Sequence, residues 1–272
     1  MRGGFQRTMA DNLLLEFRNV KKHFAAVEVL RGVNMTVRAG QVTALVGDNG
    51  AGKTTLIKCL AGIFQLDEGS IIWEGKPVSI HSPKAAAALG IEFVYQDLAL
   101  CSNLDIVQNM FLGRERVRGA FLDEESMEDA ARETLASLNV TTIKSIRQQV
   151  SSLSGGQLQS VAVAKAVMWN SKLVVLDEPT AALGVAQTAQ VLALVRRLAD
   201  RGLGVLLISH NLEDVLKVSD SIAVLRLGVL VAQPNIKDVT SGELVELITT
   251  GRSGARFPGT PVAPATAAAQ TI

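Results

Sequence analysis

The sequence predicts an α/β fold: a largely parallel sheet with helices on both faces, a β-rich N-terminal part and an inserted helical subdomain. Three observations predict it. Hydrophobic residues make up 48 % of the chain and aromatics only 4 %. The apolar content is therefore mostly Val, Leu, Ile and Ala, which suits parallel strands buried on both faces. Short apolar runs also alternate with stretches of helical spacing. Between two such runs, from about 97 to about 170, the pattern turns polar and helical, as an insertion would.

The elements follow in chain order. Leu13–Arg38 reads as short strands with a polar break near Lys21–His23. Val42–Val46, entered at Gln41, is an apolar strand that runs into a glycine-rich loop. Lys53–Ala61 has few helix breakers and apolar residues at Leu56, Ile57, Leu60 and Ala61, which is helical spacing. Ile71–Trp73 followed by Glu74-Gly75 reads as a hairpin, and Ile91–Tyr95 as a strand. The insertion carries an acidic run, Asp123–Asp129, and a helical stretch, Leu158–Trp169. Leu173–Leu176 returns to a buried strand. Ala186–Arg201 is a helix with Val191, Leu192, Leu194, Val195 and Leu198 on one face, and Gly204–Ile208 is a further buried strand ending at Ser209-His210. One nucleotide-site domain over 13–250 is expected, with disordered ends at 1–12 and 251–272, the latter rich in Ala, Pro, Thr and Gly.

Composition narrows the function. Net charge is +1, from 27 basic and 26 acidic residues, and no basic stripe of a nucleic-acid binder is present. Two cysteines, Cys59 and Cys101, make neither a disulfide framework nor a metal site, so a reducing compartment and a filler role for each thiol are expected. Arginines near the N-terminus have no apolar stretch behind them, so no signal peptide is expected. No run of ~18 apolar residues occurs, so a transport function would need other chains for the channel.

Three motifs carry chemistry. Gly47-Asp48-Asn49-Gly50-Ala51-Gly52-Lys53-Thr54, followed by Thr55, matches the P-loop pattern between a strand and a helix. Its glycines let backbone N–H groups curl around a phosphate, and the helix presents its positive end to the same anion. Lys53 supplies a cation to the β- and γ-phosphates, and the Thr54 hydroxyl can ligate Mg²⁺. Leu173–Glu178 is an apolar strand ending in two carboxylates, where open α/β sheets bind ligands. Asp177 suits the Mg²⁺ shell and Glu178 a water-activating base. Leu153-Ser154-Gly155-Gly156-Gln157, ahead of a helix, makes a second phosphate-binding surface from a hydroxyl, glycine N–H groups and a helix N-terminus.

Together these motifs resemble the nucleotide-binding domains of ABC transporters, from about Leu13 to Thr250. The resemblance implies a P-loop NTPase core of ABC type that hydrolyses ATP with Mg²⁺. It also implies two copies paired head to tail, the P-loop of one facing Ser154–Gln157 of the other. Gln96 matches the family's Q-loop glutamine, which touches Mg²⁺ and the attacking water and senses the transmembrane partner. His210 matches the switch histidine that contacts the γ-phosphate. Phe24 sits where the family stacks an aromatic on adenine. Where the family has S-A-L-D, this chain has Ala181-Ala182-Leu183-Gly184, which puts the usual cross-dimer contacts of that carboxylate in doubt.

The segments Glu178–Val185, Val94–Leu100 and Asn109–Glu115 are similar to importers of the ribose, xylose and fructose group, and the chain looks most like the single-domain fructose-type members. That similarity implies membrane permease subunits, an extracytoplasmic sugar-binding protein and a peripheral place on the cytoplasmic face of the inner membrane. Two rivals stand beside it: a soluble ABC-type ATPase associated with nucleic acid, and an inactive regulatory module. Balanced charge argues against the first, and intact Lys53, Glu178 and His210 against the second.

Overall fold

The computed structural model describes residues 12–252. Apart from Asn12, Gly251 and Arg252, the ends expected to be disordered lie outside those residues. The described residues open with an antiparallel hairpin, β1 (Leu13–Phe24) and β2 (Val27–Arg38), turning at Ala25 with φ 50°. The expected break at Lys21–His23 does not occur. These residues stay in β1, with Lys21 opposite Arg31, Lys22 opposite Leu30 and His23 opposite Glu28. Their polar side chains reach acids at the start of the neighbouring strand and just before it. Lys21 pairs with Glu68 at 2.7 Å, Lys22 with Asp67 at 2.9 Å and His23 with Asp67 at 2.8 Å. β4 (Glu68–Trp73) and β5 (Lys76–Val78) complete a four-stranded sheet in the order β2-β1-β4-β5.

The second sheet is built from β3 (Val42–Val46), β6 (Ile91–Val94), β9 (Leu173–Asp177), β10 (Gly204–Ile208), β11 (Ser221–Arg226) and β12 (Val229–Ala232). Its order is β12-β11-β3-β10-β9-β6, parallel throughout except for the β11–β12 pair. Every residue of β3 and β10 is buried, as strands covered on both faces require. The alternation of side chains divides β9 between two apolar clusters. Leu173 and Val175 join a cluster with β1, β2 and helix α1 (Lys53–Leu60). Val174 and Leu176 join the other, with the inserted helices and with helix α6 (Val185–Asp200).

Between β6 and β9 lie helices α3 (Ile106–Phe111), α4 (Glu124–Ser137) and α5 (Gly155–Val167), with a two-stranded hairpin of β7 (Val117–Arg118) and β8 (Phe121–Leu122). The start of α3 is a reciprocal cap: the Gln108 N–H donates to Asp105 Oδ1 at 2.7 Å and the Asp105 N–H to Gln108 Oε1 at 3.0 Å. The acidic run has a structural use. Glu124 and Glu128 lie one turn apart on α4 and hold the Arg147 guanidinium at 2.7 and 2.6 Å, while Asp105 reaches it at 3.1 Å.

Helices α2 (Pro83–Ala88), α7 (Leu212–Val218) and α8 (Ser241–Thr250), with β11, β12 and the β7–β8 hairpin, arise where the sequence analysis assigns no element. Both cysteines are free, and burial pushes the Cys59 thiol up to about 11, in keeping with an unreactive filler. Among the described residues no helix is long and apolar enough to cross a membrane.

Candidate functional site

The loop Gly47–Gly52 leaves the C-terminal end of β3 and feeds α1. Two of its glycines are required by close approach. A Cβ on Gly47 would lie 2.1 Å from the Leu225 carbonyl oxygen of β11. Gly52 caps α1 at φ 105°, and its Cβ would meet Leu30 at 2.9 Å. Asp48, Asn49 and Gly50 of the loop and Thr54 in the first turn of α1 are exposed, while Ala51 and Gly52 of the loop are buried. Lys53 folds its ammonium back across the loop and donates to the carbonyl oxygens of Gly47 at 2.6 Å and Asp48 at 3.0 Å. Burial pulls this ammonium below its ordinary value, against the opposing charges of Glu178, Asp48 and Asp177.

The parallel register places the ends of β3, β9 and β10 side by side, with Asp177 opposite Ile208 and Ile208 opposite Leu45. Asp177 and Glu178 thereby reach the P-loop. Burial pushes the Asp177 carboxyl above the usual carboxylate range, and the neighbouring Glu178 charge adds to this, while Lys53 and Lys58 oppose it. Glu178 has φ 51°, a left-handed conformation that costs a non-glycine residue roughly 1–3 kcal/mol. Its N–H donates to the Ile208 carbonyl at 3.0 Å, which ties the strained residue to β10. His210 Nδ1 lies 2.8 Å from Glu178 Oε2, with the histidine side chain 74 % exposed and the carboxylate largely buried. The loop beyond is held by Thr180, whose hydroxyl donates to the buried Asp214 carboxylate at 2.9 Å.

Two adjoining cavities result. One, of about 460 Å³, is lined by Asn49–Thr55, Gln96, Asp177, Glu178, Val29 and Ile208. The other, of about 540 Å³, shares Asn49, Gln96 and Glu178 with the first and adds Gly47, Asp48, His210 and an apolar wall. The structure therefore brings together the P-loop, both carboxylates, Gln96 and His210. Ser209, Leu212, Val245, Ile248 and Thr249 also line the second cavity, and the sequence analysis does not name them. Thr54, Gln96 and Asp177 line one cavity with oxygen donors only, a set that suits a hard cation completed by phosphate oxygens.

Two groups lie apart. Ser154–Gln157 lines neither cavity. The Gln157 amide is engaged within its own chain, accepting from the Ser154 N–H at 2.9 Å and donating to the Thr142 carbonyl at 2.6 Å. Phe24, at the end of β1, also lines neither cavity, but it is 40 % exposed rather than core. Its ring meets Phe64 edge to face at 5.0 Å, and the Lys22 ammonium lies 5.4 Å from it.

The ABC transporter family model matches residues 30–181. The xylose/arabinose import ATP-binding protein XylG of Sulfolobus acidocaldarius is 45 % identical over 237 residues, covering 87 % of this chain and 94 % of that protein. The fructose import ATP-binding protein FrcA of Rhizobium meliloti is 44 % identical over 257 residues, covering 92 % and 97 %. Among solved structures, a nucleotide-free ATP-binding cassette from an ABC transporter matches with a TM-score of 0.75 at 27 % identity, over 86 % of this chain and 98 % of that one.

Proposed function

The chain belongs to the ABC transporter family, and from that premise we propose that it energises import of a sugar through separate membrane permease subunits. It is an ATP-binding and ATP-hydrolysing subunit. The observation that carries the reading is the meeting of Lys53, Asp177, Glu178, Gln96 and His210 at the ends of three parallel strands. The rival readings gain no support from the comparisons.

In the proposed mechanism Gly47–Thr55 wraps the phosphates, with its N–H groups and the start of α1 facing them. Lys53 exchanges its bonds to the loop carbonyls for the β- and γ-phosphate oxygens. Thr54, Asp177 and Gln96 would hold Mg²⁺, which supplies neutralisation of the phosphate oxygens when bound. Glu178 takes the proton of the attacking water as the water oxygen bonds the γ-phosphorus and the bond to the β–γ bridging oxygen breaks, giving ADP and phosphate. His210 orients the Glu178 carboxylate and meets the γ-phosphate. Phe24 stacks on adenine.

The proposed unit is the domain over 13–250, with its helical subdomain at about 97–170, acting as a homodimer beneath the permeases. An extracytoplasmic sugar-binding protein delivers the solute, and the dimer sits peripherally on the cytoplasmic face of the inner membrane. Near Gln96 in the chain, a groove between β6 and the inserted helices is lined by Phe93, Leu98, Met110 and Trp169 together with the charged Glu92, Arg114 and Lys165. That groove is the surface proposed to face the permease.

Deleting the gene is expected to abolish uptake of one sugar, with a pentose or fructose first on the panel. Wild type should restore it and Glu178→Gln should not, because that variant binds ATP but loses turnover on the order of a hundredfold or more. Unchanged uptake of every sugar in the deletion strain rejects the substrate class, and near-normal phosphate release by the variant removes Glu178 from the chemistry.

A further inference from the structure

One wall of the larger cavity does nothing for a phosphate. Leu212 at the start of α7, with Val245 and Ile248 on α8, presents apolar surface beside the polar rim of Gly47, Asp48, Glu178 and His210. Val245 is 49 % exposed there. Elsewhere on the surface Val185 is 91 % exposed, more than any other large apolar side chain among the described residues. It is the first residue of α6 and follows Gly184, the position at which this chain lacks a carboxylate.

We propose that, in the ATP-bound pair, Val185 of each copy enters the apolar part of the other copy's cavity, between α7 and α8 and beside His210. The proposal rests on the reading that two copies close head to tail on ATP.

Packing within one chain ties Val185 to the Ser154–Gln157 motif. A Cβ on Gly155 would lie 2.8 Å from Leu183 Cδ2, and one on Gly156 3.3 Å from Gln187 Cβ. The turn between these two contacts is closed by the Gly184 N–H, which donates to Gln187 Oε1 at 3.2 Å. The start of α5 and the start of α6 therefore move as one piece, and Val185 projects from it. When that piece lies over the P-loop cavity of a second copy, its neighbouring surface meets the neighbouring cavity. The two cavities are contiguous through Asn49, Gln96 and Glu178.

The chemistry matches on both sides. The rim already carries the carboxylates of Asp48 and Glu178, of which Asp48 remains in a Glu178→Gln chain, so a further carboxylate arriving there meets like charge. Gly184 brings none, which leaves Val185 as the protruding side chain, and the wall that receives it is Leu, Val and Ile. Burying a protruding apolar side chain in an apolar recess removes both from water. Two such contacts form per dimer, so each substitution counts twice.

The test uses the full chain carrying Glu178→Gln, which holds ATP, with dimerisation followed by sedimentation as ATP is added. Val185 is exposed in the single copy, so Val185→Asp should leave the monomer's melting temperature unchanged. It should weaken ATP-dependent dimerisation more than tenfold, while Val185→Leu should stay within a few-fold of the parent. The location is read from charge pairing. Val245→Asp should weaken the dimer, and adding Val185→Lys in the same chain should recover it.

If Val185→Asp dimerises like the parent, the contact is absent although the shared ATP site stands. If Val185→Asp weakens the dimer but the Lys–Asp combination brings no recovery, Val185 lands elsewhere and the cavity assignment is overturned. A parent chain that does not dimerise on ATP refutes the head-to-tail reading, and this proposal with it.

Discussion

Single residues anchor the ends of strands, and Asp67 is one whose role no motif announces. It accepts from the Lys22 ammonium at 2.9 Å and from the His23 N–H at 2.6 Å, and so fixes the end of β1 from which Phe24 projects. The hydrogen bond from Lys22, then that from the His23 N–H, holds its carboxyl below the usual carboxylate range. A depressed folded value stabilises the fold above the unfolded value, about 3.9, and that contribution is lost as pH falls through the folded value. Asp67→Asn should therefore lower the melting temperature at pH 7 by about 2–4 °C. The deficit should vanish toward pH 2. An equal deficit at every pH would show that packing, not charge, is at stake. If Phe24 is the base platform, Phe24→Ala should raise the KM for ATP a few-fold to about tenfold, since such stacking is worth roughly 0.5–1.5 kcal/mol. An unchanged KM removes it from that role. At this scale the P-loop and Asp177-Glu178 were legible in the sequence because their chemistry needs contiguous residues after an apolar strand. Gln96 and His210 became legible only through resemblance, since a lone amide or imidazole carries no pattern. Val245 and Ile248 were not legible, because only the return of α8 past β3 and β11 brings them to the P-loop.

Elements were legible where their residues were uniformly apolar or cleanly periodic. β3, β9 and β10 are buried on both faces and read as apolar runs, and α6 has a wide apolar stripe. β1 was split too early because its polar residues are paired across the sheet rather than turned away from it. α2 is a run of alanines with no stripe, and every residue of β12 is half-buried, so its strand nature lies in its pairing with β11. The same holds for α3, whose six residues are short for a helix and depend on their anchorage. Asn109 is fully buried there; its Oδ1 accepts from the Cys101 N–H at 2.7 Å, and its Nδ2 donates to the Cys101 and Asp105 carbonyls at 3.0 Å each. Asn109→Leu leaves these backbone groups without a partner in an apolar setting. A loss of about 2–4 kcal/mol in unfolding free energy, read from urea melts, is expected. A loss below about 0.5 kcal/mol would mean that water replaces the amide.

The whole molecule sets the P-loop apart from the Ser154–Gln157 motif. The P-loop, Asp177, Glu178 and His210 gather at the C-terminal ends of β3, β9 and β10, whereas Ser154–Gln157 opens α5 and lines neither cavity. Under the proposed head-to-tail pairing, one chain holds half of each of two composite sites, and ATP is bound between two copies. Mixing mutants tests this most directly. One chain carries Lys53→Ala. The other carries Ser154→Glu, chosen because Ser154 is exposed whereas Gly156 packs on Gln187. Each mutant alone forms pairs in which both sites are half broken. Their heterodimer has one site with both halves intact, because the intact P-loop of one faces the intact Ser154 of the other. The control mixes wild type with a chain carrying both substitutions, a pair in which neither site is intact. ATP-dependent heterodimer is measured in the two mixtures with differently tagged chains. The account predicts clearly more in the first mixture; equal yield in both would contradict it and would mean that each chain closes its nucleotide site without the other.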